Sequence, residues 1–184
     1  VSNWDVSSAQ YMRRVFRLTR VANPDVSSWN LASVINMRGM FRGARLANPD
    51  VSNWVFPNAN SIAYLFAETS VANPDVSSWD TSGVENMSGV FLGAEVATPN
   101  VSGWDTSSVT TMNEMFHGAL LANPDVSAWN ISNVIDLSSM FRNTPLANPD
   151  VSNWDTSGVE NMSAVFMNAQ VATPNVSSWD TSTV

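Results

Sequence analysis

The sequence has no cysteine, no lysine and only one histidine among 184 residues. Without Cys there is no disulfide framework, no thiolate nucleophile and no cysteine metal cluster. No apolar run approaches 18 residues, so no transmembrane segment is expected in this chain. No glycine-rich phosphate loop is present, and no cofactor is expected. Every basic residue is Arg, and seven of the eight lie in residues 1–50, which carry a net +4. Residues 51–184 carry −12, and the whole chain −8. A chain this acidic is a poor ligand for nucleic acid. Its split charge points instead to a polar assembly, or to an acidic partner for one end.

What the sequence does contain is a strict 25-residue repeat. Units begin at Val1, Val26, Val51, Val76, Val101, Val126, Val151 and Val176, and they align without a gap. Position 1 of each unit is Val, position 2 Ser and position 4 Trp. Position 16 is Phe, 22 Ala and 24 Pro; position 25 is Asp except at Asn100 and Asn175. A period of this size predicts a repeat architecture in which each unit packs only on its neighbours. Residues 1–184 are therefore expected to be one array of seven-plus units, an internal piece of a longer array.

Apolar residues at positions 9, 12, 15 and 16, as in Val84, Met87, Val90 and Phe91, fit one face of a helix over positions 7–18. Ser82 with Glu85 and Ser157 with Glu160 fit capping boxes. Gly43, Gly93, Gly118, Asn143 and Asn168, all at position 18, suit a left-handed C-cap. Asn-Pro-Asp or Thr-Pro-Asn then makes a turn, and Val-Ser a very short strand. The expected fold is an α/β solenoid, one short parallel strand plus one short helix per repeat. Strands stacked about 4.8 Å apart, against helices roughly 8–10 Å apart, would fan it into an arc.

The pattern Asp-Val-Ser-x-Trp-Asp-Thr-Ser-x-Val-x-x-Met-x-x-Met-Phe-x-x-Ala resembles the BspA-like, mycoplasma-lipoprotein type of surface repeat. Residues 100–119, NVSGWDTSSVTTMNEMFHGA, carry the resemblance most closely, and it extends along the whole chain. It implies a leucine-rich-repeat-like solenoid, extracellular or at the cell surface, with a structural or adhesive role and no enzymatic activity. Departures from the repeat at Tyr11, Pro57, Tyr64, His117 and Pro145 are scattered, whereas a catalytic site would gather them.

Two columns admit more than one reading. Eight Trp residues form either a buried ladder or an exposed sugar platform. The Asp column either caps the backbone after it or collects Ca²⁺. Five Asn-x-Ser sequons, at Asn86, Asn100, Asn130, Asn161 and Asn175, are candidate glycosylation sites. A partner contact is expected on the first three repeats. Val6, Leu31, Val55 and Phe56 would form an apolar strip there, beside the basic Arg13, Arg17, Arg20, Arg42 and Arg45. Other protein chains, further repeats of the same array, or an acidic glycan would be the partner. The alternative role is a module recognising a glycan or peptide on one face.

Overall fold

The computed structural model describes residues 1–184 as a stack of 25-residue coils laid in register. Each coil is a succession of β-turns. The N–H groups at positions 4, 9, 15, 17 and 19 donate to carbonyls three residues back, as in Trp104 to Val101, Val109 to Thr106 and Ala119 to Phe116. None of the 73 backbone hydrogen bonds joins residues four apart, so no α-helical ring closes anywhere.

The expected α/β solenoid is therefore overturned, and the leucine-rich-repeat likeness and the fanned arc go with it. There is no helix, and pairing is limited to isolated parallel bridges: Tyr11, Asn36, Ser61, Asn86, Thr111, Asp136 and Asn161, in sequence. These bridges fall at position 11, inside the expected helix, while the Val-Ser strand is part of a turn. The physical reason lies in the spacing. Consecutive β-turns redirect the chain every three residues, so apolar side chains at intervals of three face inward just as they would on a helix. A helix of about ten residues is marginal by itself. Here its N–H groups instead bond the next coil, as Met87, Gly89, Phe91 and Gly93 do to Thr111, Asn113, Met115 and His117.

Positions 14 and 18 have φ near +60° in all seven coils, from Arg14 and Leu18 to Ala164 and Asn168. Each is the third residue of a turn, where a type II geometry demands φ > 0. The left-handed residues expected at position 18 are present, closing a turn and not a helix. Ser82 and Ser157 likewise sit in local caps made by Asp80 and Asp155, not in capping boxes.

Two aromatic ladders run through the core. Successive Phe rings at position 16 stack at 5.4–5.9 Å, from Phe16 to Phe166. Trp29 to Trp154 are buried, and Trp54, Trp79, Trp104 and Trp129 stack in turn at 6.0–6.4 Å. From Trp29 to Trp179, each indole N–H donates to the Val carbonyl at position 1 of the coil before, as Trp104 Nε1 does to Val76 at 3.0 Å. Burial of the largest side chain thus leaves no polar atom unpaired. The Trp column is a core ladder.

Candidate functional site

Function must come from the outer surface of the stack, and three features there depart from an ordinary polar coat. The first is a groove bordered by positions 18 and 20. Arg20, Arg45, Glu68 and Glu95 line about 520 Å³ of it, over Gly43 and Gly93. Basic groups occupy the first two coils and acidic groups the next two. Farther along, Leu120, Pro145, Asn143 and Asn168 border a second section.

The second feature is a stripe at position 21. Val21, Leu46, Val71, Val96, Leu121, Leu146 and Val171 are all exposed, by 37–83%. Apolar residues scattered singly on a surface need no explanation. One in every coil, at the same position, makes a continuous line that water alone would disfavour.

The third is a recess of about 340 Å³ lined by Arg13, Arg14 and Arg38. The Arg14 side chain packs beside Gly39 in ordinary contact, its Cγ 3.8 Å from where a Cβ on that glycine would stand. The Arg38 guanidinium sits 4.4 Å from the centre of the Tyr64 ring, and that of Arg13 5.9 Å from the centre of Tyr11. Tyr64 crosses Gly89 to donate its hydroxyl to Glu114 at 3.2 Å. Burial, followed by the Glu114 charge, pushes the Tyr64 phenol up.

The residues anticipated for a partner are split by the fold. Val6, Leu31 and Phe56 are buried, at 9%, 1% and 3% exposure, and present no surface strip. Position 6 belongs to the core in the first seven coils; Thr81, Thr106 and Thr156 fill it later and bond the next coil through their hydroxyls. Val55 alone of the four is exposed. Arg42 pairs with Glu68 at 2.6 Å, the one ion pair in the structure. Arg13 joins the recess, Arg20 and Arg45 the groove, and Arg17 stands exposed. Asn100, Asn130, Asn161 and Asn175 are exposed, while Asn86 is half-buried in the bridge column. His117 is half-buried, and desolvation is the main cause lowering its pKa.

These surfaces are carried by a repeat whose likeness extends along the stack. Residues 1–73 and 60–179 match the family described as Mycoplasma protein of unknown function, DUF285. The chain belongs to this family. No curated protein and no solved structure matches it. No helix is long and apolar enough to cross a membrane.

In this DUF285 member the Asp column is a set of backbone caps. Oδ1 of Asp25, Asp50, Asp75, Asp125 and Asp150 accepts both the N–H and the hydroxyl of the Ser two residues on, and Asn100 and Asn175 do the same. Position 5 repeats the device, as at Asp80 and Asp155. The hydroxyl, then the N–H, holds Asp5, Asp25, Asp75, Asp80, Asp125, Asp150 and Asp155 below the usual carboxylate range; at Asp180 the N–H comes first. A carboxyl whose pKa is depressed by folding stabilises the fold above its unfolded value of about 3.9, and that contribution fades as pH falls through the folded value. The melting temperature is thus expected to hold steady near neutrality and to drop on acidification below about pH 4. Asp75→Asn, Asp125→Asn and Asp150→Asn together keep the caps without the titration, so thermal melts of that variant should show a shallower acid limb. An identical limb would mean that the caps do not couple to folding.

Sequence reasoning gave no site role to Arg14, Arg38 or the position-21 stripe, and treated Tyr64 only as a departure from the repeat. Gly89 was the available signal for Tyr64, since it leaves space for that long side chain of the preceding coil. The Val or Leu in every unit was visible too, but its exposure was not.

Proposed function

We propose that this chain is a non-enzymatic structural or adhesive element outside the cell, which associates side by side with another copy of itself through the position-21 stripe. The observation that carries the reading is the unbroken line of seven exposed aliphatic side chains. Burying such a line against a matching one gains the apolar area that water penalises. The resemblance to BspA-like surface repeats supports the location, as do four exposed sequon asparagines.

Charge favours a second copy as the occupant. In the neighbouring groove Arg20, Arg45, Glu68 and Glu95 run from basic to acidic. Antiparallel apposition sets Arg20 against Glu95, and Arg45 against the Glu68–Ser70 segment. A two-fold contact of this kind is self-complementary. Such complementarity fixes register and orientation more than it adds affinity.

The test is association measured by sedimentation. Replacing Leu46, Val71 and Val96 by Asp should leave the coils folded, because all three are exposed, and should abolish association. Arg20→Glu with Arg45→Glu should weaken it, and mixing that variant with Glu95→Arg should restore mixed complexes. Stripe variants that associate like the original chain would remove the reading.

A further inference from the structure

We infer that the recess between Arg13, Arg14 and Arg38 is a binding site for the sulfate or carboxylate groups of an acidic oligosaccharide. The site goes beyond self-association and uses none of the stripe residues. Three guanidinium groups line one recess, and no carboxylate pairs with any of them. Like charges placed together repel, so an unpaired trio is a standing demand for an anion. Arg answers sulfate and carboxylate equally, with a planar fork that bonds two oxygens at once.

The arrangement is built and not incidental. Arg14 occupies a left-handed backbone position, φ 64°, where two later coils place Gly. Arg14 packs beside Gly39, the residue at the same position of the next coil, and lines the recess together with Arg38. Arg38 is held against the Tyr64 ring. The chain has two tyrosines, and each lies against an arginine of this recess: Tyr11 beside Arg13, and Tyr64 beneath Arg38. Tyr11 is 64% exposed, so its ring face is open to a ligand. An aromatic face beside fixed cations suits a sugar ring that carries negative groups, since the C–H face of the ring stacks while the anion is bound. An acidic peptide would use the cations and leave the rings idle.

Binding of a heparin-derived hexasaccharide and of a galacturonate hexamer should be measured by calorimetry, with polyglutamate and phosphatidylglycerol vesicles alongside. Protein concentration is kept below that of self-association. One or both oligosaccharides should bind, with affinity falling as salt rises. Arg14→Gln with Arg38→Gln should lose about tenfold, the sum of two exposed charge contacts. Arg20→Gln with Arg45→Gln removes the same charge from the groove and should lose less than about twofold. Tyr11→Ala should weaken oligosaccharide binding while leaving the salt dependence as it was. Stripe variants should bind the sugar normally, which separates this site from the assembly reading. Equal losses in the two Arg pairs would show diffuse attraction and overturn the proposal. So would polyglutamate or vesicles binding as well as the sugars, or no sugar binding at low salt.

Discussion

Trp104→Ala should destabilise the stack by about 3–5 kcal/mol, the usual result of truncating a large core aromatic. Trp104 is 3% exposed and lies between Trp79 and Trp129, 6.0 and 6.4 Å away, with Phe91 beside it. Its removal opens a cavity where coils four, five and six meet. Because the core of each coil packs on its neighbours, the Tyr64–Glu114 bond between coils three and five aside, the loss should uncouple the two halves of the array. Urea unfolding followed by circular dichroism should then split into two steps. The Val76 carbonyl keeps its turn bond to the Trp79 N–H, so Trp104→Phe should cost only about 1–2 kcal/mol. Trp4→Ala serves as the contrast: Trp4 is 54% exposed, and its loss should move the midpoint far less. A Trp104→Ala melt that matches the original chain would mean that the ladder contributes no stability.

Gly89→Ala should cost about 2–4 kcal/mol, through two separable effects. The residue has φ +57°, where an added Cβ crowds the next carbonyl. That Cβ would also stand 2.4 Å from Cε1 and 2.5 Å from Cδ1 of the Tyr64 ring. A ring wedged between coils, tethered to Glu114 and stacked under Arg38, cannot swing aside without breaking those contacts. Gly118→Ala isolates the backbone part: φ is +70°, but the nearest atoms to its Cβ are backbone of Gly93 at 3.7–3.8 Å. It should lose only about 1 kcal/mol. Made in a Tyr64→Ala background, Gly89→Ala should lose its steric part alone and cost about what Gly118→Ala does. Denaturant midpoints of these three variants and of Tyr64→Ala alone check this, and strict additivity of the two changes would deny the contact.

How much of this was legible beforehand varies with the kind of signal. The buried Trp and its carbonyl partner follow from invariance beside Val and from the need to pair an indole N–H. The Asx caps follow from local chemistry, since an Asp followed two residues later by Ser bonds within its own turn. The helix did not follow, although its spacing looked helical. Positions 9, 12, 15 and 16 serve a helix face and a run of β-turns equally well, and short periodic segments do not tell the two apart. Gly39 and Gly89 at position 14 were the residues that spoke against it. The apolar strip failed for a related reason: Val6, Leu31 and Phe56 vary among themselves because the core tolerates several fillings there, Thr included, and not because they face a partner.

The sequence by itself determined the period, the register, the invariant columns and the charge asymmetry. All four are properties of a repeat read along the chain, where local order and composition suffice. The tertiary structure decided which backbone hydrogen bonds close within a coil and which pass to the next, and so replaced helix and strand by turns. It also decided which aliphatic residues stay outside and which arginines converge. Those outcomes depend on contacts between residues about one coil apart, 24 to 28 positions along the chain. Only the stacking of one coil on the next brings such residues together, and no local propensity records it.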